Sequence, residues 1–388
     1  MTAVKILLPH PIKKSILACG ADTKGTFALA KGKHAYIFQG YGDLSNVDNF
    51  KKYNAAIKKN IKNFKIAPEV IACDLHPNYI STNFAAQCSC PIYWAKPKAS
   101  AFAKASAGRQ SPKLKTIQHH RAHIASAIAE NSIRGEVIGV AFDGTGYGED
   151  GNIWGGEFFI GGLKSLKRFA YFDYVKLPGG ESSIKNPWQT AVSYLHKTFG
   201  RRIYDLDLPL FKKIKKENID IVIKMIENNF NCPKASSVGR FFDAVSSLLG
   251  LVYEKCGEAE GPMKLEKIAQ DKTRDYYNFK IKKDENYVII TDDIIKGIIK
   301  DIRDKRANSY ISTKFHNTIA AIILKISKLH SDRIKTVVLS GGVFLNKVLT
   351  NKAKMLLERN GFNVYTQSDR TTTDAGIPLG QVALAIDI

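Results

Sequence analysis

The stretch from Gln118 to Gly148, QHHRAHIASAIAENSIRGEVIGVAFDGTGYG, decides how the rest of the chain is read. His119 and His123 stand four residues apart, and the unbroken, Ala-rich run Ile124 to Glu130 predicts a helix there. The two imidazoles therefore share a face, a geometry that suits a metal. Val137 to Phe142 is a short apolar, β-branched run that reads as a buried strand, and it empties into Asp143-Gly144-Thr145-Gly146-Tyr147-Gly148, expected to be a turn. Glycine in such a turn lets backbone N–H groups approach a phosphate, and an Asp at a strand end can hold a cation or a water. Taken singly, each half has a plain alternative: two polar surface histidines, and an ordinary Asp-Gly turn. Their adjacency favours a site.

Upstream, Ser15 to Cys19 reads as a strand running into Gly20-Ala21-Asp22-Thr23-Lys24-Gly25-Thr26, followed by Phe27 to Ala30 and Ala35 to Phe38. This is a hairpin pattern whose first turn can cradle phosphate or serve only as a Gly-rich loop. Leu44 to Phe64 has helical spacing, and Glu69 to Cys73 is a second buried strand ending at Asp74-Leu75-His76-Pro77. Asp74 and His76 read as ligand positions at a strand's carboxyl end or, more simply, as a turn capping the helix from Asn78.

Downstream, Ile153 to Ile160 and Phe169 to Lys176 form another hairpin pattern, so the second half opens as the first did, which predicts two similar lobes. Asn186 to Phe199 and Leu210 to Asn229 are helical; Phe241 to Leu251 carries an apolar stripe with Asp243 beside it, a residue able to bind a ribose hydroxyl or merely to face water. Tyr276 to Thr291 reads as an inserted hairpin, and Asp292 to Arg303 and Tyr310 to His330 as helices. The last unit is a buried strand, Thr336 to Leu339, a turn containing Gly341, Gly342 and Asn346, and a helix, Lys347 to Glu358. That sequence of elements makes a nucleotide-sized concavity at a helix N-terminus. Asn363 to Thr366 is a strand, and Thr372 to Ile377 leads into a closing helix.

With 388 residues the chain exceeds the size at which one core stops growing, again predicting two lobes. Apolar residues at 44% and charged residues at 24% are those of a globular protein and exclude disorder. The net charge of +22 comes from Lys and Arg spread along the chain, suiting nucleic acid, nucleotides or an acidic partner alike. The six cysteines are scattered with no CxxC pair, the N-terminus shows no signal peptide, and no window has the length of a membrane span, so a reducing cytoplasm is expected.

HHRAH followed by GVAFDGTGYGEDGNIWGGEF, then LPGGES, SSVGRFFDAVSSLLGL, VVLSGGVFLNKVL and TDAGIPLGQ, resembles the C-terminal catalytic domain of HypF, the carbamoyltransferase of NiFe-hydrogenase maturation. CDLHPNYIST and ILACGADTKGTFALA resemble the same family, and the likeness runs from about Ser15 to Ala385. That domain is similar to the TsaD family and to carbamoyltransferases of antibiotic biosynthesis. The resemblance implies an α/β, two-lobed actin/Hsp70/sugar-kinase (ASKHA) fold of duplicated RNase H-like domains, here expected at 1–136 and 137–388 with a helical insertion at about 186–330. It implies that His119, His123, Asp143 and Asp374 are catalytic metal ligands, holding Fe or Zn against the phosphate of a nucleotide or carbamoyl-adenylate. Gly20, Lys24 and Thr26, with Gly144, Thr145 and Gly146, would line the phosphates. Asp243, Gly341, Gly342 and Asn346 would hold the nucleoside of ATP, AMP or carbamoyl-adenylate.

The expected acceptor is the C-terminal cysteine of a HypE-like protein. Full HypF proteins resemble a string of acylphosphatase-like, zinc-finger and YrdC-like domains before this one, whereas here the transferase domain begins almost at Met1; a separate YrdC-like partner is expected to supply carbamoyl-adenylate. At Tyr253 to Glu266 the family's compact YEG loop appears as YEKCGEAEGPMKLE, with extra residues that leave the places of Glu258 and Gly261 open. Two other functions fit the same residues: carbamoylation of a small molecule or tRNA, disfavoured because the motifs follow HypF more closely than TsaD, and a non-catalytic ATP-binding scaffold.

Overall fold

The computed structural model describes residues 3–90, 111–369 and 371–386. The chain folds into two compact units, one of Met1–Glu136, Gly161–Leu166 and Tyr365–Ile388, the other of Val137–Ile160 and Lys167–Val364. The Asp374 turn and the closing helix thus belong with the first unit, whereas the boundary expected from sequence put them with the second lobe.

In the first unit β1 (Val4–Ala18), β2 (Phe27–Phe38), β3 (Val70–Asp74) and β4 (Lys113–Ile117) form one sheet in the order β2-β1-β3-β4. β1 runs antiparallel to β2 and parallel to β3, which is parallel to β4. Side chains alternate across it. Leu17 and Ile71 join a cluster with Tyr53, Ile57 and Phe84 from the helices Val47–Asn63 and Ile80–Cys88. Ile16, Ala18, Val70 and Ala72 face the other way, against Ala122, Ala125 and Ala129 of the helix His119–Glu130 and Leu379 and Val382 of the helix Ile377–Ala385. Parallel pairing requires such cover on both faces. The second layer is built from small residues, so its two helices approach closely: a Cβ on Gly380 would stand 1.8 Å from the Ala122 carbonyl oxygen.

In the second unit β5 (Val137–Tyr147), β6 (Ile153–Gly161), β7 (Lys167–Phe172), β8 (Val175–Lys176), β9 (Lys234–Ala235), β10 (Lys280–Lys283), β11 (Tyr287–Ile290), β12 (Thr336–Ser340) and β13 (Asn363–Thr366) form a sheet whose main path is β10-β11-β7-β6-β5-β12-β13. β5 is parallel to β12 and β6 antiparallel to β7. The hairpin expected at Tyr276–Thr291 extends this sheet, because β11 pairs in parallel with β7. The helices Pro187–Phe199, Val238–Leu248, Asp292–Arg303 and Asn308–Lys328 share one core with the sheet, centred on Phe142, Phe158, Phe241, Phe242 and Phe315. Each such ring removed from water contributes about 1.5–3 kcal/mol.

The segment Asp143–Tyr147 is not the turn expected from its glycines. It continues β5, and the chain reverses only afterwards, where Gly148 N donates to the Asn152 carbonyl at 2.8 Å. Gly239, at the start of the helix Val238–Leu248, is needed for closeness rather than for backbone freedom: a Cβ there would stand 2.8 Å from Gly144 Cα. Among the described residues no helix is long and apolar enough to cross a membrane.

Candidate functional site

In the first unit, the helix His119–Glu130 starts at Gln118, whose side chain accepts from Arg121 N at 2.9 Å. His119 and His123 are both buried and share one face, with ring centroids 5.0 Å apart. His119 Nδ1 lies 2.8 Å from Asp74 Oδ2, at the end of β3; the carboxylate acceptor assigns the proton to Nδ1 and leaves the Nε2 lone pair on the other edge of the ring. Asp74 is itself fixed, since its Oδ1 accepts from His76 N at 2.9 Å. The other ring edges meet Asp374, whose Oδ1 is 3.4 Å from His119 Nε2 and 3.6 Å from His123 Nε2. Both separations are longer than an N–H···O bond and close to the roughly 3.4 Å between two atoms that ligate one tetrahedral ion at about 2.1 Å. Two imidazoles and a carboxylate suit a borderline divalent cation. Burial alone would raise the Asp374 pKa, but the His119 and His123 rings together outweigh it and hold the carboxyl well below the usual range.

The loop after β1 supports the same carboxylate. The Thr23 hydroxyl donates to Asp374 Oδ2, and Thr26, fully buried, places its hydroxyl 3.5 Å from the Asp374 carbonyl. Gly20 is at φ +69°, where a Cβ would stand 2.2 Å from the Thr26 carbonyl oxygen, and Gln381 clamps it by accepting from its N–H at 2.8 Å and donating to its carbonyl at 3.0 Å. Lys24 is half-buried in this loop. Asp22 caps the helix Ile80–Cys88 from outside, accepting from Ile80 N and Ser81 N, because the residue at the cap position, Tyr79, has no side chain suited to it. The sequence offers Asp74 as a ligand position or a turn, and Asp22 and Thr23 only as members of a possible phosphate loop; their actual partners each lie 45 or more residues away.

In the second unit the expected nucleotide residues gather at one end of β5. Asp143 Oδ1 accepts from Gly144 N at 2.7 Å. Gly341, at φ +102°, has room only for hydrogen because a Cβ would stand 2.3 Å from the Phe142 carbonyl oxygen, and a Cβ on Gly342 would lie 3.0 Å from Asp143 Oδ1. Ser237 caps the helix Val238–Leu248, and its hydroxyl lies within 2.8 Å of the Asp143 and Gly144 carbonyl oxygens. Thr145 and Gly146 follow on β5, half-buried and buried respectively. Asp243 is fully buried rather than facing water, and its Oδ2 receives Lys255 Nζ at 2.6 Å and Arg240 Nη2 at 3.1 Å. The 253–266 segment is anchored by Gly261, where a Cβ would stand 2.5 Å from Ser246 Oγ and 3.1 Å from Asp243 Oδ1, while Glu258 is exposed. Asn346 caps the helix Lys347–Arg359 through Oδ1, which accepts from Leu349 N at 2.9 Å, and its Nδ2 donates to His316 Nε2 at 2.9 Å. His316 Nδ1–H in turn donates to the Ser312 carbonyl at 2.7 Å, and burial lowers this imidazole to about 4.

Two α/β units, each opening with a hairpin beside parallel strands, one with a buried His–Asp cluster and the other with glycine-tight turns at a strand end, define a Kae1-like chain of the ASKHA class. The chain belongs to the HypF family: residues 11–130 match the HypF Kae1-like domain, and residues 139–381 the second subdomain of the carbamoyltransferase Kae1-like domain. It is 31% identical to carbamoyltransferase HypF of Synechocystis sp. over 98% of this chain and 48% of that protein. To a carbamoyltransferase HypF homolog of Cupriavidus necator it is 28% identical, over 95% and 91% respectively. A crystal structure of full-length HypF in the phosphate- and nucleotide-bound form superposes with a TM-score of 0.87 at 36% identity, covering 99% of this chain and 57% of that one. The chain thus spans about half the length of the Synechocystis relative. Family and fold are those expected from the motifs.

Proposed function

We propose that this chain transfers a carbamoyl group from carbamoyl-adenylate to an acceptor thiol, the C-terminal cysteine of a HypE-like protein. The observation that carries the reading is the convergence of His119 Nε2 and His123 Nε2 on Asp374 at 3.4 and 3.6 Å, with Asp74 holding His119 in the ligating tautomer. These residues would hold a divalent metal, Fe or Zn, with Asp143 as the further ligand assigned by its motif. When bound, the ion would supply Lewis acidity and neutralise charge on the adenylate phosphate. Gly20, Thr26, Gly144, Gly341 and Gly342 would let backbone approach the phosphates, and Asp243 would take a ribose hydroxyl. In the transfer, the acceptor sulfur bonds to the carbamoyl carbon, the carbon–oxygen bond to phosphate breaks, AMP leaves with that electron pair, and the thiol proton passes to solvent.

No enzyme nucleophile is needed, because the mixed anhydride is already activated and alignment is the main requirement. Burial raises the Cys19 thiol pKa strongly and pushes Cys73 up to about 12, which makes both poor nucleophiles. A separate YrdC-like protein would form the carbamoyl-adenylate. The test is to mix the chain with such a partner and HypE and to look for the carbamoyl mass on HypE; transfer no greater than with a His119→Ala control overturns the reading. The net charge of +22 is compatible with one alternative, transfer to tRNA, which tight, salt-sensitive, tRNA-selective binding would support.

A further inference from the structure

Lys255 comes from the stretch where this chain departs from the YEG pattern, and it points into the second unit's interior. Asp243, Arg240 and Lys255 form a cluster of one anion and two cations; the carboxylate is fully buried and the two basic side chains are only 9% and 8% exposed. Both cations share Asp243 Oδ2. Asp243 Oδ1 and Arg240 Nε and Nη1 are buried and meet no hydrogen-bonding group among the described residues. Within the cluster one carboxylate faces two cations, and the further carboxylate that acts on Lys255, Glu258, is exposed, so the buried groups themselves carry a positive excess that a bound anion can answer. Burial, with Arg240 nearby, lowers the Lys255 pKa. The loop is tied at both ends of this segment, by Lys255 N donating to the Lys185 carbonyl and Cys256 N to Glu260 Oε2, each at 2.8 Å, so Lys255 is held in place. Arg240 Nη2 lies 3.2 Å from where a Cβ on Gly144 would be, which sets the cluster against the Asp143–Gly146 segment.

One buried carboxylate oxygen and two buried guanidinium nitrogens without hydrogen-bond partners, beside two cations, match a ligand that presents a hydroxyl and an anion close together, as a nucleoside phosphate does. We infer that Lys255 is a specificity-determining residue, which with Arg240 makes the Asp243 site select a nucleoside phosphate over the uncharged nucleoside. The inference rests on the nucleotide reading of Asp243 given above. Removing Lys255 leaves Arg240 and Asp243 as a neutral pair with nothing to attract the phosphate.

The test is calorimetric titration of the whole chain with AMP and with adenosine, for the wild type, Lys255→Met and Lys255→Arg. The wild type should prefer AMP. Lys255→Met should weaken AMP binding about tenfold or more, as expected for loss of a charge-assisted contact, while adenosine binding is unchanged. Lys255→Arg should restore most of the preference, which separates lost charge from lost folding. Equal weakening of both compounds by Lys255→Met, or unaltered AMP binding, overturns the assignment while leaving the nucleotide reading in place. A wild type that binds neither compound overturns both.

Discussion

Replacing Asp74 by Asn probes the candidate metal site without touching a ligand. The Asp74 carboxylate accepts twice within the buried interior, from His119 Nδ1 at 2.8 Å and from His76 N at 2.9 Å. An Asn of the same shape offers only one oxygen. If its NH2 faces His119, the ring must carry its proton on Nε2 and loses the lone pair that points toward Asp374. If the NH2 faces His76 instead, two donors oppose each other in the turn after β3. Either way the site is misset, and loss of such a supporting carboxylate lowers metal affinity about 10- to 100-fold, roughly 1.4–2.7 kcal/mol. The assay is titration of metal-stripped protein with Zn(II) or Fe(II) against a competing chelator, with near-UV circular dichroism to confirm that the fold is kept. A variant that folds and binds metal as tightly as the wild type refutes the tautomer argument.

His123→Ala should abolish stoichiometric metal by elemental analysis, since it deletes an Nε2 that faces Asp374; retained metal would place the ion elsewhere. Gly380→Ala should destabilise the protein by about 1–3 kcal/mol in urea unfolding, because the added methyl would stand 1.8 Å from the Ala122 carbonyl oxygen and push apart the helices carrying the histidines and following Asp374. It should weaken metal binding as well. His316 is neutral in the fold at about 4 against an ordinary 6.5, so the unfolded chain binds the extra proton between those values. Stability should therefore fall as pH drops from about 6.5 to 4, by roughly 3 kcal/mol at most from this residue. His316→Gln, which can still accept from Asn346, should make that slope shallower; an unchanged slope removes His316 as its source.

Much of the architecture could be read from local pattern. Short apolar runs mark the strands, and the four-residue spacing of His119 and His123 puts both rings on one helical face. Where the reading failed, the deciding partner was distant. Asp143–Tyr147 has the composition of a turn, yet continues β5, with Gly239 of the helix from Val238 packed directly on the Gly144 backbone, a contact invisible in the segment itself. β1 begins at Val4 although Pro9 and Pro11 argue against a strand; register shifts between Leu7 and Ile12 and again before Ile16 let the prolines sit where the pairing with β2 is interrupted. Asp74 read as a simple turn because its imidazole partner is 45 residues on, and Thr23 gave no signal because Asp374 is 351 residues on. For Asp243 the local pattern leaves ligand binding and exposure both open, because the loop bearing Lys255, which covers its carboxylate, is not placed by that pattern.

The clamp of Gln381 on Gly20 joins groups 361 residues apart within a single unit. On a ribosome adding about 5–20 residues per second, the β1 loop would wait on the order of tens of seconds for the helix that secures it. Throughout that interval this face of the sheet lacks Leu379 and Val382, half of its helical cover, and Asp374 does not yet exist, so the histidine pair emerges long before the carboxylate it faces. The candidate ligand set is therefore complete only once that late helix has been made.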